Sequence, residues 1–164
     1  MIQHMFRREK KTNIWLFSLQ LGFFAGLFWG AVRGLFYYMK FTGIIPGFLL
    51  EPFFKHAYLQ TQPGYYAGWL SFILFSMVAS VIYVVAFRKL KGPWPGLAYG
   101  VAWWLVLFFA LGPFTEMTRP ATEHPFDTLF SEFCVFLLWG MFIGYTTAEE
   151  YTNERVREPK KVLQ

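Results

Sequence analysis

The stretch Ile14–Val32, IWLFSLQLGFFAGLFWGAV, decides the fold. Its nineteen residues carry no charge, and at 1.5 Å per residue they take an α-helix across most of a ~30 Å hydrocarbon layer. Arg33 interrupts the run, which then continues to Tyr38. Three further stretches share its character: Gly64–Phe87, Pro95–Leu111, and one from Thr128 to Thr147 broken only by Glu132. Soluble core helices would show polar faces at helical spacing, and these segments are apolar almost all round. The expectation is an all-α membrane protein, a four-transmembrane-helix bundle with spans at about 14–38, 64–87, 95–111 and 128–147. Pro95 suits the start of the short third span, and Gly112-Pro113 is expected to stop it.

Composition points the same way. Of 164 residues, 55% are hydrophobic and only 15% charged, where a soluble domain carries about 25% charged residues. A soluble enzyme, a disordered tail and a disulfide scaffold are thereby excluded. The basic residues then set orientation. Eleven flank the spans on one side: Arg7, Arg8, Lys10, Lys11, Arg88, Lys89, Lys91, Arg155, Arg157, Lys160 and Lys161. Lys40, Lys55 and Arg119 fall on the other. Both termini are therefore expected in the cytoplasm, with a basic segment at 1–13, a membrane domain at 14–148 and a charged tail at 149–164. The pI near 9.4 reflects this asymmetry, so the expected partner is the lipid bilayer and not nucleic acid. Helix one reads as an uncleaved signal anchor, too long and without a small-residue cleavage site.

The connections differ in kind. Arg88–Trp94 is short and makes helices two and three an antiparallel hairpin. Met39–Pro63 contains the apolar run Ile44–Leu50, too short to span, which reads as an interfacial or partly re-entrant piece. Gly112–Asp127 is a polar, proline-broken loop, and the tail is expected to prolong helix four by a turn or two before Pro159.

Helix one carries Gly22, Gly26, Gly30 and Gly34, four glycines in one slowly drifting row. Helix four carries Gly140 and Gly144, and shorter pairs occur at Gly64/Gly68 and Gly96/Gly100. Glycine at this spacing lets another helix approach at backbone distance. The row either seats helix one at the centre of the bundle or faces a partner helix or second copy. Tyr37, Tyr38, Tyr65, Tyr66 and Trp69 mark one interface, and Trp94, Tyr145 and Tyr151 the other. Trp103 and Trp104 lie deeper and read as filler opposite glycine grooves.

Two charges lie inside spans. Arg33 is ~28 Å along helix one, and Glu132 is about one turn into helix four. A lone charge near the bilayer centre costs roughly 2.5–3.5 kcal/mol even on the mild scale, so Arg33 and Glu132 are expected to pair. Glu51, Glu116 and Asp127 are the next candidates for the arginine. The pair either fastens helix one to helix four or forms an outward-opening proton or substrate site. Glu116, Glu123, His124 and Asp127 offer cation ligands, but no spacing specifies a metal, and a solvated loop is the simpler reading. Cys134 is alone and reads as a buried structural thiol. No catalytic template applies, and no cofactor is implied.

GFFAGLFWG at Gly22–Gly30, GPWPGLAYGVAWW at Gly92–Trp104 and FIGYTTAEEY at Phe142–Tyr151 resemble the YqhR-type membrane proteins of spore-forming Gram-positive bacteria. The resemblance covers about residues 15–152. It implies a small multi-span plasma-membrane protein and transfers no catalytic or binding positions. Two functional classes follow. One is a non-enzymatic structural or accessory partner of another membrane component, with a membrane-protein partner or a homo-oligomer as its context. The other is a small transporter or channel using an outward-facing Arg33/Glu132 site, against which stands the scarcity of polar residues in the spans.

Overall fold

The computed structural model describes residues 12–157, and all its regular elements are helical. Four helices are long and apolar enough to cross a membrane. They are α1 (Ile14–Tyr38), α2 (Gln62–Phe87), α3 (Trp94–Phe114) and α4 (Phe126–Arg157). Local signals set the starts. Asn13 Oδ1 accepts the Trp15 and Leu16 amides at 3.1 and 3.5 Å, and Thr61 Oγ1 accepts the Gly64 amide at 3.3 Å, each relieving an amide that lacks a helical partner.

The third helix does not stop against Gly112-Pro113 but runs to Phe114. Val106–Leu111 form a π-helical stretch, and the Gly112 amide bonds the Leu107 carbonyl five residues back. That wider turn accommodates Pro113, which has no amide to give. The fourth helix continues past the span into the tail, as expected, and reaches Arg157; Pro159, the basic segment up to Lys11 and the end of the tail lie outside the described residues. Thr12 Oγ1 donates to Glu150 Oε1 at 2.8 Å. The start of α1 and the late turns of α4 therefore share one end of the bundle.

Two glycine seams organise the packing. A Cβ on Gly26 would lie 2.6 Å from Ile73 Cα, and one on Gly22 would lie 2.7 Å from the Ser76 carbonyl. Farther along, Gly30 and Gly34 receive the rings of Trp69 and Tyr65. All four glycines of the α1 row are thus covered by α2 of the same chain and are buried, which leaves them closed to a partner helix. The second seam joins α3 to α4. A Cβ on Gly140 would lie 2.5 Å from Gly100 Cα, and one on Gly96 would lie 2.8 Å from Gly144 Cα.

Large rings fill the space between the two pairs. Phe75 meets Trp103 edge-on at 4.9 Å and stacks on Trp139 at 5.7 Å, while Tyr83 meets Tyr99 at 4.9 Å. Such ring contacts contribute about 0.5–1.5 kcal/mol each beyond their area. Two of the polar tips are tied down within the bundle: Tyr99 donates to the Ala79 carbonyl at 2.7 Å and Trp139 to Ser76 Oγ at 2.9 Å. Helices α2 and α3 are adjacent as their short connection requires, but they meet through aromatic rings instead of close backbone.

The connection after α1 turns into the bundle. Ile44, Ile45 and Phe48 are buried, and Phe48 stacks on Phe108 at 5.9 Å. A Cβ on Gly68 would lie 2.5 Å from Gly47 Cα, and Gly68 is six residues into α2, ~9 Å below its start. Irregular backbone at that depth is tolerated because protein, not lipid, surrounds it.

Candidate functional site

Arg33 comes from the last turns of α1 and Glu132 from the second turn of α4. Arg33 Nε donates to Glu132 Oε2 at 2.8 Å and Nη2 donates to Oε1 at 3.1 Å. These parallel bonds form the fork that suits guanidinium and carboxylate. The two side chains are 3% and 1% exposed, so the pair is sealed from solvent on both sides. A third bond completes it: Thr42 Oγ1 donates to Glu132 Oε1 at 2.9 Å and accepts the Ile44 amide at 3.2 Å. The Arg33 guanidinium carbon lies 4.5 Å from the centre of the Phe48 ring and 5.4 Å from that of Phe72, within cation–π range.

The same face of α4 grips the re-entrant segment at two more points. Thr128 Oγ1 accepts the Gly43 amide at 3.1 Å, and Ser131 Oγ donates to the Phe41 carbonyl at 3.1 Å. The ion pair is therefore the centre of a clasp in which α1, α4 and the loop hold one another. Thr42 and Phe48 carry no sequence signal for this role. Thr128 has a weak one, because it stands one helical turn before Glu132.

The other sequence candidates are placed elsewhere. Glu51 Oε1 contacts His56 Nδ1 at 2.5 Å. Glu51, His56, Glu116, Glu123 and His124 line a cavity of about 500 Å³ at the end of the bundle opposite Thr12. Asp127 is not among them and lines a separate groove. Among the described residues, no three His, Cys, Asp or Glu side chains are placed to hold a metal ion. Cys134 is half-buried and free.

The clasp predicts a specific loss. Thr42→Val removes the hydroxyl that both donates to Glu132 and receives the Ile44 amide, at a cost of about 1–3 kcal/mol for the unpaired buried groups. An otherwise silent cysteine at Ile45 is expected to react with a membrane-impermeant maleimide faster in the Thr42→Val background. Equal rates would show that the hydroxyl does not hold the segment.

Residues 3–162 match the family described as conserved membrane protein YqhR. The chain belongs to the YqhR family. The Bacillus subtilis (strain 168) protein named "Uncharacterized protein YqhR" is 32% identical over 132 residues, which cover 80% of this chain and 74% of that one. No solved structure matches the chain. A YqhR-family chain is thus a membrane protein by family and carries four helices of spanning length by structure. The matched range includes Arg33, Thr42 and Glu132.

Proposed function

We propose that this YqhR-family chain is a non-enzymatic plasma-membrane protein that assembles with, or stabilises, another membrane component. The observation that carries the reading is the closure of the clasp. Arg33 and Glu132 are the only buried charged side chains among the described residues, and each is occupied by the other, by Thr42 and by the overlying rings. Intramembrane charges ordinarily mark a transport or relay site, and here the fold itself uses them.

A transporter would need the pair to open to water and a polar route below it. Phe72, Phe108, Phe136 and Trp139, all at most 1% exposed, pack into one another beneath the clasp, which supports the assembly reading over the transport one. In the proposed orientation both termini are cytoplasmic and the charged cavity mouth faces outward.

Photo-crosslinkers placed at that mouth, in native membranes, test the proposal. The expected result is one recurrent membrane-protein neighbour whose abundance falls when this chain is deleted. Proton or solute flux in proteoliposomes, abolished by Arg33→Lys in a chain that still folds, would overturn it. Orientation has its own test. A C-terminal alkaline phosphatase fusion is expected to be inactive and the corresponding green fluorescent protein fusion bright; the reverse would invert the topology.

A further inference from the structure

A second concavity, about 990 Å³, opens beside the clasp between the last turns of α1, the first turn of α2 and the start of α4. Its volume is at the upper end of the range for small-ligand sites. Its wall begins at Ala31, Gly34 and Leu35 and rises past Tyr37 and Tyr38 to Lys40. Ala31 is seven residues below Tyr38, so the groove descends roughly 10 Å along α1. Its floor is therefore at hydrocarbon depth and its mouth is at the level of the tyrosines that mark the interface.

Two charged residues line it, Lys40 and Asp127. Lys40 forms no salt bridge among the described residues, and its backbone is left-handed, φ 61°. That conformation belongs to the helix end, where the Lys40 amide bonds the Tyr37 carbonyl and the Phe41 amide bonds the Phe36 carbonyl, the capping pattern that closes α1. Asp127, in the first turn of α4, supplies the opposite charge. The mouth adds hydrogen-bonding groups from Tyr66 and Gln62, and the Tyr65 hydroxyl lies deeper, over Gly34.

A groove that offers Ala31 and Leu35 at membrane depth, beneath a mouth with one cation and one anion, is complementary to a zwitterionic amphiphile. We propose that this groove binds an aminophospholipid of the leaflet opposite the termini, with Lys40 on the phosphate, Asp127 on the ammonium and an acyl chain along Ala31–Leu35. A soluble phosphate ester would leave Ala31 and Leu35 uncovered, and an anionic phosphoglycerol lipid would meet Asp127 unfavourably.

The test uses the full chain in vesicles of phosphatidylethanolamine and phosphatidylglycerol with a trace of phosphatidylethanolamine bearing a diazirine on its acyl chain. Labelling is mapped to residues 31–42 and 60–66. Unlabelled phosphatidylethanolamine is expected to compete better than phosphatidylglycerol. Near a membrane surface one lysine contributes about 1 kcal/mol toward an anionic lipid, or roughly fivefold. Lys40→Met should lower labelling by about that factor, Lys40→Glu by more, and Lys40→Arg should leave it intact. Asp127→Asn should keep the labelling but erase the preference between the two lipids. Unchanged labelling in both Lys40→Met and Lys40→Glu would overturn the proposal. So would equal competition against the wild-type chain, a preference that survives Asp127→Asn, or displacement of the lipid by free phosphoethanolamine.

Discussion

Arg33→Met is expected to lower the steady-state level of the protein severely, and Glu132→Met to do the same. Each leaves one charge buried at 1–3% exposure without its partner, and breaking a buried pair from one side costs about 3–5 kcal/mol. Losing Glu132 also strands Thr42 Oγ1, which donates to it, so the re-entrant segment should loosen along with the helix contact. The informative variant is the double one. Replacing both partners of a buried pair by apolar residues of similar volume is often close to neutral, so Arg33→Met combined with Glu132→Met should recover most of the level and melting temperature lost in the singles.

The charge swap Arg33→Glu with Glu132→Arg should recover less. It restores opposite charges, but it moves the guanidinium away from the Phe48 and Phe72 rings and faces Thr42 with a donor where it now meets an acceptor. Western-blot levels in native membranes and thermal melts in detergent read both series. If neither double variant improves on the singles, the pair is not what holds α1, α4 and the loop together.

The second large effect is at the helix seams, and it should be graded by what each new methyl group strikes. Gly140→Ala directs its Cβ at Gly100 Cα, and Gly26→Ala directs its Cβ at Ile73 Cα, 2.5 and 2.6 Å away. Backbone cannot step aside, so the helices must part, and overpacking of this kind costs typically 1–3 kcal/mol and sometimes more. Gly26→Leu should abolish folding. Gly34→Ala meets the far end of the Tyr65 side chain, which can swing, and should be mild. Gly92→Ala meets nothing within 4 Å, yet its φ of 86° makes even alanine strained there, at roughly 1 kcal/mol. Melting temperatures across these four alanine variants should therefore separate Gly26 and Gly140 from Gly34 and Gly92. A flat series would mean that the seams are looser than their geometry indicates.

The four long apolar helices, their approximate positions and the residues small enough for close contact are legible in the sequence, because these depend on local runs of apolar side chains and on glycine spacing; the short helix His56–Leu59 is not. The sequence also singled out Arg33 and Glu132, since a charge inside an apolar run is conspicuous whatever it touches. Tertiary structure alone decided which seam meets which. The α1 row could have faced a partner, and only the position of Ile73, Ser76 and Met77 shows it occupied from within. Likewise the π turn that carries α3 past Gly112-Pro113 depends on backbone geometry that spacing does not encode. The ion pair became a clasp through Thr42, Thr128 and Phe48. Thr42 and Phe48 lie on a connection whose path is set by helix ends ninety residues apart in the chain, from Thr42 to Glu132. Contacts at that separation exist only once the bundle has closed, so no local pattern announces them.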